Sequence, residues 1–146
     1  MSRQPDPEFR SPAEFREVMD RVFTMMSEDP DMGPRLRDAD VPQRFEFPDI
    51  DLVVNIRAAA AGEDANLHWE WSDDVDWSPK VHMTMVSPVA NRYFQGRENV
   101  AMAIARRRIR AAGDVRAALA LIPITKPVHE RFRAMISDEY PHLVAK

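Results

Sequence analysis

The sequence predicts a single α+β domain: a five-stranded, mostly antiparallel sheet covered on one face by about five helices. Three observations carry this. Apolar residues recur at three- and four-residue steps between Ser11 and Glu28, they alternate with polar ones between Arg44 and Met85, and helix-start signals return from Ser87 onward.

The first helix opens on Ser11-Pro12-Ala13-Glu14, which combines a capping serine, a proline at the first helical position and a glutamate placed to reach back. Its apolar stripe is Phe15, Val18, Met19, Val22, Phe23 and Met26, and Asp29-Pro30 followed by Gly33-Pro34 stops it. A short helical turn is expected around Arg35 to Asp38. Four half-buried strands follow, carried by Phe45 and Phe47; by Leu52, Val54 and Ile56; by Leu67, Trp69 and Trp71; and by Val81, Met83 and Met85. The links between them are short, so the expectation is an antiparallel meander with one wet face. Ser87-Pro88 starts a helix that Gly96 ends, and Asn99 caps another over Val100 to Ala105. Arg106 to Ala111 is the expected fifth strand. Gly113-Asp114 turns the chain into a helix with Val115, Ala118, Leu119 and Ile122 inward, ended by Pro123, and Pro127 begins a last helix with Val128, Phe132, Met135 and Ile136 on one side. The boundaries expected are a flexible N-terminal segment over 1–10, one domain over 11–140 and a tail over 141–146.

With 146 residues the chain can bury roughly 70% of its unfolded surface. A net charge of -4 argues against a protein built around nucleic acid. The absence of cysteine excludes disulfides, a thiolate nucleophile and a cysteine-ligated zinc site. Met1 to Arg10 has no apolar run of the kind a signal peptide needs, and no apolar stretch reaches the roughly 18 residues of a spanning helix, so a cytoplasmic protein is expected.

Three groups of segments together resemble the sterol carrier protein type 2 (sterol-binding domain) family, in its stand-alone bacterial form. They are the opening helix with four strands after it, the run Pro88-Val89-Ala90-Asn91-Arg92-Tyr93-Phe94-Gln95-Gly96-Arg97-Glu98-Asn99, and the turn Ala112-Gly113-Asp114 with Leu119, Leu121, Lys126 and Pro127 behind it. The resemblance spans Phe9 to Tyr140, and the aromatic-Gln-Gly-x-x-Asn stretch carries most of it. Where the family has Gly-Lys entering the fifth strand, this chain has Ala105-Arg106, which keeps the charge and loses the glycine. The resemblance implies an elongated apolar cavity between sheet and helices that takes fatty acyl chains, acyl-CoA thioesters, sterols or related lipids. The expectation is a carrier without cofactor, metal or catalysis, with an enzyme or a transient membrane contact as exchange partner.

The residues expected to line that cavity are Met83, Met85, Phe94, Met102, Leu119, Ile122, Phe132, Met135 and Ile136, each of which reads equally as plain core. Arg106, Arg108 and Arg110 would share a strand face and offer an anionic headgroup its contacts, or would guard a sheet edge. Ligand exchange is expected to shift the last helix, Pro127 to Ser137. The alternative function is a non-catalytic accessory subunit with a filled core. A third reading, an enzyme, rests on His68, Glu70 and His82 sharing the outer face of neighbouring strands. Glycine-rich phosphate loops, nucleophile elbows and paired-carboxylate motifs are absent from the sequence, which argues against it.

Overall fold

The opening helix forms where its caps place it. In the computed structural model, which describes residues 9–144, α1 runs Pro12–Glu28, and Ser11 Oγ accepts the Glu14 amide at 3.0 Å while Glu14 accepts the Arg10 amide at 3.0 Å. Residues 1–8 of the expected N-terminal segment and the last two of the expected tail lie outside the described residues. All six residues of the predicted stripe are buried. Asp29 then accepts the amides of Asp31 (2.9 Å) and Met32 (2.8 Å), starting α2, Met32–Ala39, a full helix where a single turn was expected.

The strands are β1 (Gln43–Phe47), β2 (Leu52–Ala58), β3 (Leu67–Glu70), β4 (Val81–Thr84) and β5 (Arg110–Gly113), in the order β3-β2-β1-β4-β5. The expected meander is corrected at one place: β4 lies parallel to β1, with Phe45 opposite Met83, instead of antiparallel to β3. The link over residues 71–80 is long enough to carry the chain across the sheet's outer face, as a parallel pairing demands. It is tied down there by Asn55 Nδ2 donating to the Ser72 carbonyl (2.7 Å) and by Trp77, whose ring lies 5.0 Å from the Arg57 guanidinium and 5.8 Å from His68. Period two tells which side chains face the core, not which strand comes next.

Five further helices follow among the described residues: α3 (Ser87–Phe94), α4 (Val100–Ala105), α5 (Val115–Ala120), α6 (Ile122–Thr125) and α7 (Val128–Glu139), with a 3-10 turn over Pro141–Leu143. Asn99 caps α4 and Asp114 caps α5 through their side-chain oxygens. Ser87 does not cap α3. The Asp49 carboxylate, from the β1–β2 turn, accepts both the Ser87 amide (2.9 Å) and its hydroxyl (2.6 Å). Gly113, at φ 86, turns the chain where a side chain would meet the Lys80 carbonyl at 2.4 Å.

The inner face of the sheet contributes Phe45, Phe47, Val54, Ile56, Val81 and Met83 to the core, and α1 and α7 pack over it with Phe15, Phe23, Phe132 and Ile136 almost fully buried. Side chains of this size each stabilise the fold by about 1.5–3 kcal/mol when buried. Four polar contacts fasten the C-terminal part to the first helices: Arg21 to Glu139 (2.7 Å), Arg131 to Asp29 (3.0 Å), Tyr140 to Glu17 (3.1 Å) and His142 to Glu14 (2.8 Å). The described part of the expected tail, 141–144, reaches the core through one residue. Leu143 is fully buried, and its carbonyl accepts from Asn91 (2.8 Å) and Gln95 (2.9 Å).

Candidate functional site: an apolar slot under α5 and α6

Between the sheet and the segment 115–125 the fold leaves a narrow apolar slot. Phe45, Ile56, Leu67 and Met83 line it from the sheet, Phe23, Met26 and Leu36 from the first two helices, and Ala118, Leu119, Leu121 and Ile122 from the covering segment. The free space is about 60 Å³. That holds a few water molecules, whereas sites for lipid-sized molecules measure roughly 300–1,000 Å³. The elongated cavity that the resemblance implied is therefore shut down to a slot in this conformation.

The cover is shallow. No residue of α5 or α6 is fully buried; Leu121, at the bend between them, is buried, and Ala118 and Ile124 are half-buried against the core. By contrast α7 buries Val128, Phe132, Met135 and Ile136 and carries the ion pair to Asp29. The helix expected to move is thus the fastened one.

The residues expected to line the site fall into three sets. Met83, Phe94, Leu119 and Ile122 line the slot. Met85, Phe132, Met135 and Ile136 are buried but are not part of its lining, and Met102 is 43% exposed on α4. A period-3.6 stripe marks them all as inward-facing without telling core from lining.

The arginine run needs a further correction. Residues 106–109 form a turn with Arg107 at φ 59, so β5 begins only at Arg110, and Arg106, Arg108 and Arg110 share no strand face. Arg106 and Arg110 are exposed, and Arg108 is committed to Glu98 Oε1 through two donors at 2.9 and 2.6 Å. Glu98 Oε2 in turn accepts from Arg92 at 3.1 and 2.8 Å.

The outer-face histidines do not meet. Strands β2 and β1 separate His68 on β3 from His82 on β4, roughly 14 Å apart at ordinary strand spacing. His68 pairs with its own neighbour Glu70 at 3.1 Å, and among the described residues no group of three or more His, Asp or Glu side chains is placed to hold a metal ion. Nor is any helix among them long and apolar enough to cross a membrane.

Five polar side chains that sequence reasoning passed over also line the slot: Gln43, Arg57, Tyr93, Thr125 and His129. Gln43 precedes the apolar run of β1 in phase with Phe45 and Phe47, which was a legible sign that it faces inward. Burial pushes the Tyr93 phenol up to about 12. Burial, with Arg133 and Lys126 nearby, holds His129 below its ordinary value, so its imidazole is neutral at pH 7. Gly96, at φ 72, leaves room for that ring: a Cβ there would stand 2.8 Å from His129 Nδ1.

No family model matches the chain, and no curated protein matches it in sequence. Solved structures do. UbiJ-SCP2, a ubiquinone synthesis protein, superposes with a TM-score of 0.59 at 9% identity over 84% of this chain and 97% of its own. Sterol carrier protein 2 of Yarrowia lipolytica, in its apo form, gives 0.52 at 14% identity over 88% and 98%. The sterol carrier protein domain 2 of Helicoverpa armigera gives 0.52 at 13% over 89% and 95%. The chain also overlays part of the inverting sec-alkylsulfatase Pisa1 from Pseudomonas sp., with a TM-score of 0.53 at 12% identity, but spans only 14% of that chain. At such identities the likeness is one of fold, and the strand order, the helical cover and the near-complete coverage of three such domains together establish that this chain has the sterol carrier protein type 2 fold.

Proposed function

We propose that the chain binds an apolar molecule in the slot under α5 and α6 and passes it to an enzyme or a membrane surface in the cytoplasm, without catalysis of its own. The observation that carries this reading is the contrast across the cover. The slot is lined mainly by apolar side chains, and of the segment closing it only Leu121 is buried, while α7 buries Val128, Phe132, Met135 and Ile136 and is tied to Asp29. Two of the fold neighbours are sterol carrier proteins, and one is a ubiquinone synthesis protein. Each methylene moved from water into such a site gains about 0.8 kcal/mol. A twelve-carbon chain thus offers on the order of 9 kcal/mol against the cost of lifting 115–125.

The second reading, an accessory subunit with a filled core, draws on the small volume of the slot, about 60 Å³. A titration separates the two. N-phenyl-1-naphthylamine, an uncharged dye that brightens in apolar surroundings, is expected to bind saturably at one site per chain. Ala118→Trp, which fills the slot from the cover, is expected to abolish that binding without loss of fold. Dye fluorescence that never saturates, or that Ala118→Trp leaves unchanged, favours the filled-core reading.

A further inference from the structure

The polar groups of the slot divide by charge. Arg57, the cation in the lining, is already committed: its guanidinium stacks on Trp77, donates to the Ala58 carbonyl at 2.9 Å and stands 3.6 Å from Glu63. Thr125 donates to the carbonyls of Leu121 and Ile122 in its own helix. Arg133, beside His129, donates to the Gln95 carbonyl, and Lys126 is exposed and outside the lining. The uncharged groups are unspent. Among the described residues the Tyr93 hydroxyl, the Gln43 amide and the His129 ring make no hydrogen bond, although all three line an apolar slot from three different elements. All three residues are half-buried, and no protein group competes for their hydrogen bonds, so a ligand entering the slot can supply partners there.

We infer that the slot takes an apolar chain ending in an uncharged hydrogen-bonding group, an alcohol or an amide, in preference to a carboxylate or a phosphate-bearing thioester. This rests on the reading of the slot as a ligand site. A neutral donor-acceptor end satisfies Tyr93, Gln43 and His129 at little desolvation cost, whereas an anion entering the slot gives up its hydration and meets only cations that are already paired. The arginines at 106 and 110 lie outside the lining, and Arg108 is held by Glu98.

The test displaces N-phenyl-1-naphthylamine at pH 7.5 with dodecan-1-ol, dodecanamide, laurate and lauroyl-CoA, all below their aggregation concentrations. The alcohol and the amide are expected to displace the dye at concentrations roughly tenfold lower than the two anions. Because bulk solubility also separates these compounds, the deciding readout is the variants. Tyr93→Phe and Gln43→Met are each expected to shrink the amide's advantage over laurate about fivefold, with both competitors read against that variant's own dye affinity. Laurate or lauroyl-CoA displacing as well as the amide, or variants that leave the preference untouched, overturns the inference and spares the site. A dye that does not bind at all removes the site and the inference with it.

Discussion

Glu98 shows how much of this structure is decided by single side chains. Its carboxylate is 1% exposed and accepts four donors from two arginines. Burial alone would raise its pKa, but the hydrogen bonds and charges of Arg92 and Arg108 outweigh that and hold it below the ordinary 4.5. A carboxyl depressed by folding contributes its stability in full above the unfolded value and loses it as pH falls through the folded one. Glu98→Gln is accordingly expected to destabilise the chain by about 2 kcal/mol at pH 7, with the gap to wild type closing as pH falls below the ordinary 4.5 and on through the depressed folded value. Urea melts across that range read both. Gly96→Ala forces a side chain into the left-handed region and against His129, and is expected to cost about 2 kcal/mol in the same melts. The aromatic-Gln-Gly-x-x-Asn stretch was conspicuous in the sequence, and its parts now have tasks: Gln95 holds the C-terminal turn, Gly96 seats His129 and Asn99 caps α4. Glu98, between them, carried no signal. A charged residue in a polar turn reads as solvated, and only the tertiary approach of Arg92 and Arg108 buries it. Tyr93 was hidden for the opposite reason, since it sits in a run of core residues and is polar at one atom only, whereas Gln43 was legible from its phase with Phe45 and Phe47.

At the level of elements, local chemistry was legible and long-range pairing was not. Serine, asparagine and aspartate caps located α1, α4 and α5. The parallel β1–β4 pair was invisible, because alternation assigns a face and leaves the neighbour open. The arginine run read as a strand because period two fits any polar-rich stretch containing Ile109 and Ala111, yet Arg107 at φ 59 breaks it. The ties that hold the last helix were hidden for a related reason. Proline at 127 marks a helix start, whereas the ties from α7 and the closing turn to α1 and Asp29 come from residues about a hundred positions apart. Segments with little buried surface open at lower free energy than the core around them. Amides of 115–125 are therefore expected to exchange with deuterium at least tenfold faster than those of 128–139, as mass spectrometry of peptic fragments measures. Equal protection of the two segments would mean that the cover is not the part that opens.

For the whole molecule, composition and periodicity were enough to specify two layers around one core. They were silent on whether the layers meet completely, because a slot lined by Phe45, Ile56 and Met83 uses the same residue types as packed interior. The free space of about 60 Å³ is too small for a lipid-sized molecule, so the proposed binding requires the slot to widen. The methionines report on this from inside. Met26 and Met83 line the slot, while Met19 and Met135 are buried elsewhere. With the methionine methyls carbon-13 labelled, titration with dodecan-1-ol is expected to shift the Met26 and Met83 signals saturably and to give nuclear Overhauser contacts from both to the alkyl chain, leaving Met19 and Met135 nearly unmoved. Met26 and Met83 signals that stay fixed at saturating alcohol, with no contact to the chain, would contradict the claim that this slot opens to hold an apolar molecule.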